Sequence, residues 1–175
     1  MITLPDGTNQ DNEVQGSIAS DGRLNKQPNS DSCFVCGRLN ERGLYMTFHD
    51  NLKDEVFAEY TVPEDYQGYP GIVHGGIVAA MLDEVVCRAA MIGDHHHFML
   101  SVRLEVKYRQ IVPTETPLRI VGRTVKLRGR LGKAVGQVIL PDGTIAAESE
   151  LTLADVPQEW LAGDDLDELG WRVGP

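Results

Sequence analysis

The sequence is poor in cysteine and has no long apolar run. It contains only three cysteines in 175 residues, an odd number that is too small for a disulfide scaffold. No apolar stretch reaches the roughly 18 residues that a membrane-spanning helix needs, and the polar N-terminus lacks the pattern of a signal peptide. We therefore expect a cytoplasmic protein in a reducing environment, with no membrane as a partner.

Positive charge is also in short supply, because 26 acidic residues outnumber 16 basic ones and the formal net charge is −10. Bulk nucleic-acid binding needs a positive surface, so no nucleic-acid partner is expected. The basic run, a stretch without acids, consists of Arg119, Arg123, Lys126, Arg128, Arg130 and Lys133. Two interpretations stay open for it: a solvated strand face, or a local seat for an anionic small molecule such as a phosphorylated cofactor.

The chain length suits one domain with a polar segment at each end. Residues 1–32 are rich in Asp, Asn, Gln, Ser and Gly and show no apolar period, which indicates an irregular lead-in. Ordered structure is expected from Cys33 onward, over residues 33–154. Residues 155–175 form an acidic tail, in which we predict a short helix or turn on the surface.

Apolar periodicity predicts several strands and one helix in the central part of the chain. Alternation predicts a hairpin of strands at 44–49 and 55–62, and residues 75–91 are apolar nearly all round, as in a buried helix. Four more strands are predicted at 100–109, 117–128, 133–140 and 144–153. The apolar parity switches near Gly122, which predicts a bulge or bend there. We expect an α+β fold, with a curved antiparallel sheet of about five to six strands wrapped around one long helix.

The predicted helix carries three charged residues, although buried helices usually avoid charge. Glu84 and Arg88 are four residues apart with the acid first, which favours an ion pair. Asp83 has only apolar neighbours three and four positions away. Its carboxylate must therefore be satisfied by a distant donor or have a function, and unpaired carboxylates of this kind have perturbed proton affinity.

The start of the predicted helix has the sequence His74-Gly75-Gly76. Glycines at this position leave the first backbone N–H groups unobstructed, and the positive end of the helix dipole can polarise a carbonyl. The alternative is that the glycines only permit a tight turn or close packing. Asp83 lies eight residues further on, about 12 Å along a helix axis, so it cannot reach a substrate atom held at Gly75 of the same chain. A second subunit with an antiparallel helix would close this gap.

The stretch Tyr66–Gly76, followed by Leu82-Asp83-Glu84, resembles the signature of the hotdog-fold acyl-CoA thioesterases and is most similar to their PaaI-type branch. The resemblance covers about residues 33–154. It implies hydrolysis of an acyl-CoA to the free acid and CoA, with no cofactor, because CoA is part of the substrate. It also implies a homodimer, or a homotetramer built as a dimer of dimers, with each active site at a subunit interface.

The resemblance also implies a role for each matching residue. Asp83 would activate water or attack the thioester, and the Gly75 N–H would polarise the thioester carbonyl. His74 would shape the loop and bond the substrate, Gln67 would place the carbonyl or the water, and Ser101 would position the water. The implied substrate-binding residues, chiefly for the CoA phosphates, are Gly76, Arg123, Lys126, Arg128, Arg130 and Lys133. Many relatives have an Asn where this chain has Gly68.

Two other functions stay open: a hotdog dehydratase or hydratase, and a non-catalytic acyl-CoA binding or regulatory module. The first needs a His opposite a carboxylate, whereas His74 belongs to the loop; the second does not need Asp83. Cys33 and Cys36 have the spacing of half a zinc site, but no second ligand pair lies near them in sequence, so we expect no metal. His95–His97 is expected to be an exposed loop.

Overall fold

The computed structural model describes residues 24–161, 166, 168 and 170–174. Its main helix is α1 (Gly75–Ala89), and a short helix, α2 (Gln158–Leu161), follows the last strand. The strands in chain order are β1 (Asn25–Lys26), β2 (His49–Asp50), β3 (Glu55–Thr61), β4 (Gln67–Tyr69), β5 (Ile72–Val73), β6 (Met99–Tyr108), β7 (Pro117–Arg128), β8 (Leu131–Ile139) and β9 (Ile145–Asp155). A single 3₁₀ turn, Glu64–Tyr66, precedes β4.

Seven strands form one antiparallel sheet in the order β1-β2-β3-β7-β8-β9-β6, and β4 and β5 form a separate hairpin. The helix α1 packs against five strands of the large sheet. One helix can contact so many strands only if the sheet curves around it, which confirms the predicted α+β hotdog architecture. The large sheet has more strands than the expected five to six, because the short β1 and β2 extend one edge.

The core lies between α1 and the sheet. Met81, Leu82 and Val85 on α1 are fully buried, as the apolar pattern predicted. Gly122 on β7 explains how the two layers come so close, since a Cβ atom there would lie 2.4 Å from the Val85 carbonyl oxygen. The predicted irregularity is displaced: the register of β7 shifts between Thr124 and Lys126, and Gly122 itself is a point of close packing.

The predicted strand 44–49 is only partly formed. Leu44, Met46 and Phe48 are buried in alternation, as expected, but the strand pairing begins only at His49. Tyr45 has a φ of 55°, which interrupts an extended strand. The backbone N–H groups of Leu44 and Met46 instead bond to the loop at residues 34–35. The alternating sequence thus predicted which side chains of residues 44–49 are buried, but it did not predict where their backbone hydrogen bonds go.

Ordered structure begins before Cys33. The strand β1 pairs with β2, and both Gln27 and Asn29 are buried. The Asn29 side chain donates to the carbonyl oxygen of Met46 at 3.2 Å. The acidic tail returns to the same region, where Arg172 bridges to Asn29. Residues 1–23 of the predicted lead-in, and residues 162–165, 167, 169 and 175 of the tail, lie outside the described residues.

The strand β6 lies at one edge of the sheet and carries a bulge between Ser101 and Arg103. A bulge exchanges the two faces of a strand. Ser101 therefore points towards α1 although it lies on the polar parity of the sequence, and Leu104 and Val106 beyond the bulge pack against the core. Neither described helix is long and apolar enough to cross a membrane.

Candidate active site

The first group of predicted site residues lies at the middle of α1. Asp83 is half-buried and accepts a hydrogen bond from the Ser101 hydroxyl through its Oδ1 atom. Cys87, one turn later on the same helix face, has its Sγ atom 3.3 Å from the Ser101 Oγ atom. The sequence left the partner of Asp83 open between a distant donor and a function; the donor is Ser101, brought in by the bulge of β6.

Cys87 is partly buried and packs against the core. Its thiol also contacts Ser101, which the sequence pattern did not reveal. Burial raises the pKa of Cys87 to about 12, although the Ser101 hydrogen bond opposes this shift. The thiol therefore stays protonated at neutral pH. Since Ser101 donates its proton to Asp83, the Cys87 S–H donates to Ser101, and the three side chains form one directed chain.

The second group lies at the start of α1. His74 caps the helix: its Nδ1 atom accepts the Gly76 N–H at 2.9 Å. An accepting Nδ1 leaves the ring proton of a neutral imidazole on Nε2. Across the described part of the chain, no acceptor is found for the Gly75 N–H. Gly75, and not Gly76, is therefore the residue that presents an unused backbone donor at the positive end of the helix dipole.

The loop before α1 is braced from several sides. The Gln67 Oε1 atom accepts the Gly71 N–H at 3.1 Å, so its amide oxygen supports the loop. A Cβ atom at Gly68 would lie 3.2 Å from the His74 Cα atom. Glycine at position 68 thus lets the loop press closely against His74.

Tyr108 is a residue of this region that sequence analysis missed. Its hydroxyl donates to the Gly75 carbonyl oxygen at 2.7 Å and so attaches the end of β6 to the start of α1. Burial raises the pKa of Tyr108, which keeps the phenol protonated and able to donate. Tyr108 is the last residue of the alternating strand, but nothing in the sequence indicated that this end meets the helix start.

The structure does not bring the two groups together within one chain. Gly75 and Asp83 are separated by about 12 Å along the axis of α1. The partners of the two groups on β6, Tyr108 and Ser101, are separated by about 23 Å of extended strand. The helix start and the carboxylate thus lie at opposite ends of the edge strand.

The basic run divides into two parts. The Arg123 Nε atom donates to Glu55 at 3.0 Å, and Arg119 donates to the same carboxylate at 3.3 Å. Glu55 is only 2% exposed, so these two guanidinium groups neutralise a buried charge. Sequence analysis did not single out Glu55, because its strand partner in β7 is 68 positions away.

The other basic residues, Lys126, Arg128, Arg130 and Lys133, are exposed, and no carboxylate in the described ranges pairs with them. Arg128 and Arg130 flank Gly129 at the tip of the β7–β8 hairpin. The next residue, Leu131, pairs with Ala154, which pairs with Leu100. The tip therefore lies at the same end of the sheet as Ser101, two strands away.

The histidine triplet is less exposed than expected. The His97 Nε2 atom lies 3.0 Å from an Asp155 oxygen, and its Nδ1 atom lies 3.1 Å from the Ala90 carbonyl oxygen. His95 is half-buried beside Asn25. Only His96 is exposed. The expectation of an exposed loop is therefore wrong for His95 and His97, which join the end of α1 to the sheet and to the N-terminal segment.

Residues 70–147 match the sequence model of a family described as the thioesterase superfamily. A crystal structure of a thioesterase superfamily protein is 26% identical, with a TM-score of 0.65, and the match covers 71% of this chain and 61% of that one. This chain thus spans less than two thirds of that protein's length.

Two further structures show a likeness of fold. Thioesterase superfamily member 2 of zebra fish is 19% identical over 64% of this chain and 81% of its own, with a TM-score of 0.58. A Streptococcus mutans protein bound to acetyl CoA is 17% identical over 58% of this chain and 81% of its own, with a TM-score of 0.54. With the long helix against a large antiparallel sheet, these matches confirm the resemblance read from the sequence: residues 70–147 match the thioesterase superfamily, and the chain has the hotdog fold.

Proposed function

We propose that this protein hydrolyses an acyl-CoA thioester to the free acid and CoA. The observation that carries the proposal is the Asp83 carboxylate, which is held by the Ser101 hydroxyl on a half-buried helix face of a thioesterase-superfamily chain. Structural neighbours are bound to acetyl CoA and to coenzyme A, which supports the substrate class. The motif around His74 also favours the PaaI-type branch.

The hydrogen bonds from Cys87 to Ser101 and from Ser101 to Asp83 orient the carboxylate for catalysis. Oδ1 is occupied by the Ser101 hydroxyl, which leaves Oδ2 to take a proton from water. The water oxygen then bonds to the thioester carbonyl carbon, the C–S bond breaks, and the proton passes from Asp83 to the departing CoA thiolate. Direct attack by Oδ2 would use the same geometry, with water cleaving the resulting anhydride.

The second half of the proposed site is the Gly75 N–H. A backbone donor at a helix start stabilises the charge that develops on the carbonyl oxygen. Within one chain, Gly75 lies too far from Asp83 to act on the same carbonyl. The proposed site therefore combines Asp83 of one subunit with Gly75 of another.

Pairing of two β6 edges would bring these groups together. Antiparallel pairing of this strand with its own copy places the Tyr108 end of one subunit beside the Ser101 end of the other. Because Gly75 is hydrogen-bonded to Tyr108, this pairing also places Gly75 of one subunit near Asp83 of the other. Leu100 and Val102 are 48% and 65% exposed on this edge, and pairing would cover them. A homodimer is thus the smallest complete unit, and a dimer of dimers would leave both sites unchanged.

The free part of the basic run supplies a seat for the phosphates of CoA. Arg128 and Arg130 lie at the end of the sheet that carries Ser101, and Lys126 and Lys133 are register partners just behind them. Arg123 is held by Glu55, so its proposed role is to support this strand pair.

The alternative of a hydratase has weaker support. Such a reaction needs a histidine free to exchange protons opposite a carboxylate, whereas the His74 Nδ1 atom is bonded to its own helix. A binding module without catalysis remains the alternative that the experiment must separate from hydrolysis.

The test is release of free thiol from a panel of acyl-CoA thioesters. We expect Asp83→Asn to lower kcat by about 10²- to 10⁴-fold with little change in KM, since the amide keeps the volume and loses the base. Asp142→Asn, in an exposed turn, is the matched control and should keep full activity. Binding of acyl-CoA by the wild-type protein without release of thiol from any member of the panel would show a binding module instead.

A further inference from the structure

The turn that carries Cys33 and Cys36 is built around a sulfur atom. The Cys33 Sγ atom accepts the backbone N–H of Val35 at 3.3 Å and that of Cys36 at 3.4 Å. The turn closes with the Gly37 N–H bonded to the Cys33 carbonyl at 2.9 Å. A Cβ atom at Gly37 would lie 2.3 Å from that carbonyl oxygen, so only glycine fits. Two donors aimed at one sulfur stabilise negative charge on it.

Glu84 of α1 brings a third ligand atom to this turn. Its Oε2 atom lies 3.8 Å from the Cys33 Sγ atom. The Sγ atoms of Cys33 and Cys36 and a carboxylate oxygen of Glu84 all lie within 4.8 Å of one another. This is the one group of three such ligands found across residues 24–161 and the described part of the tail. The sequence pattern showed only half a site, because the third ligand lies 48 positions beyond Cys36.

The opposite oxygen of Glu84 is already held in place. The Arg88 Nε atom donates to Oε1 at 2.8 Å, and Arg88 is 1% exposed. Metal-binding carboxylates are commonly oriented by such a hydrogen bond to the oxygen that does not bind the metal. Arg88 therefore fixes the carboxylate and leaves Oε2 facing the two sulfur atoms.

The spacing and charge of this cluster fit a zinc ion. Zinc bonds of about 2.3 Å to sulfur and 2.0–2.2 Å to oxygen, in tetrahedral geometry, put neighbouring ligand atoms about 3.5–3.8 Å apart. Two thiolates and one carboxylate carry three negative charges. One divalent cation and the Arg88 guanidinium balance them. Thiolate ligands select zinc over magnesium or calcium.

We propose that Cys33, Cys36 and Glu84 bind one Zn²⁺ ion per chain. The Glu84 side chain is 22% exposed, so the fourth position faces solvent and takes water. The ion joins the Cys33–Gly37 turn to α1 at the residue next to Asp83. Its role is to hold the helix against the N-terminal segment, and it does not depend on the proposed hydrolysis.

Metal uptake by the reduced full-length protein tests this proposal. We expect about one equivalent of zinc to remain after saturation and desalting. Cobalt should give the charge-transfer absorption of a thiolate complex. Cys33→Ser and Cys36→Ser should each weaken binding at least tenfold and Glu84→Gln about tenfold or more. Cys87→Ser changes the remaining cysteine and is the control, which should bind zinc as the wild type does.

A second measurement uses only the wild-type protein, in case the cysteine variants do not fold. In the folded protein, zinc should protect Cys33 and Cys36 from alkylation. In the unfolded protein, zinc should give these cysteines no protection. Peptide mass analysis after alkylation measures the difference. Absence of both zinc uptake and the cobalt band would overturn the proposal, as would unchanged uptake by Cys33→Ser/Cys36→Ser. The proposal would also be overturned if Cys33 and Cys36 formed a disulfide under mild oxidation and the reduced protein bound neither zinc nor cobalt.

Discussion

The two ends of the candidate site on α1 differ in what they contribute. At the helix start, Gly75 contributes a backbone N–H, and the surrounding side chains of His74 and Tyr108 hold the backbone in place. At the middle of the helix, Asp83 contributes a side chain held by Ser101. The helix start depends on the absence of a side chain at position 75, whereas the middle of the helix depends on the carboxylate of Asp83. Neither end is complete alone, so the proposed hydrolysis requires the two ends to come from different subunits.

The largest effect is expected from removing the backbone N–H of Gly75 alone. Proline at the first helical position lacks the N–H and is tolerated there. His74 has φ −59° and ψ 134°, which suits the residue before a proline. We expect Gly75→Pro to lower kcat for acyl-CoA by roughly 10²- to 10³-fold.

The matched control for this variant is Gly75→Ala, which keeps the N–H. Its Cβ atom would lie 3.5 Å from the Tyr108 hydroxyl oxygen, an ordinary contact. Its kcat should stay within a few-fold of the wild type. Equal losses in the alanine and proline variants would show that crowding, and not the lost donor, is responsible.

Mixed dimers of the Asp83→Asn and Gly75→Pro variants test whether Asp83 and Gly75 of one active site come from different chains. Asp83→Asn and Gly75→Pro subunits, each nearly inactive, are unfolded together and refolded in equal amounts. Half of the dimers are then mixed, and each mixed dimer has one intact site of two. We expect recovery to about a quarter of wild-type activity. Mixtures that stay as inactive as their parents would assign both groups to the same chain.

A smaller effect is expected for the basic tip. Arg128→Ala/Arg130→Ala should raise KM several-fold for CoA thioesters and leave pantetheine thioesters nearly unchanged, because only CoA carries the phosphates. Added salt should reproduce the effect in the wild-type protein by screening. If both substrate types lose equally, the tip is a solvated strand face, the other interpretation of the basic run.

The smallest effect concerns Cys87. With a pKa of about 12, raised by burial, this thiol remains protonated at neutral pH and should gain reactivity only as the pH rises well above neutrality. Iodoacetamide at neutral pH should leave Cys87 unlabelled in the folded protein and label it after unfolding. Rapid labelling of the folded protein would contradict a neutral Cys87 donor beside Ser101.

Local patterns predicted much of the fold and of the candidate site. The apolar run at 75–91 predicted α1, and strict alternation predicted β6, because helix and strand periods depend on neighbours along the chain. The spacing of Glu84 and Arg88 predicted their ion pair, which has a distance of 2.8 Å. The spacing of Cys33 and Cys36 likewise indicated half a zinc site, although the sequence alone led us to expect no metal.

Contacts between distant segments were beyond these patterns. Ser101 reaches Asp83 only because a bulge turns β6 at residue 102, and Glu55 meets Arg123 across two strands far apart in sequence. Register and bulges depend on how the whole sheet packs, so no short stretch specifies them.

The sequence by itself thus determined the helix, its apolar faces and the chemical types of the site residues, since these follow from local periodicity and side-chain chemistry. Only the tertiary structure decided which groups meet. It joined Ser101 to Asp83 and Glu84 to Cys33, because side-chain proximity between distant segments is set by the packing of α1 inside the curved sheet.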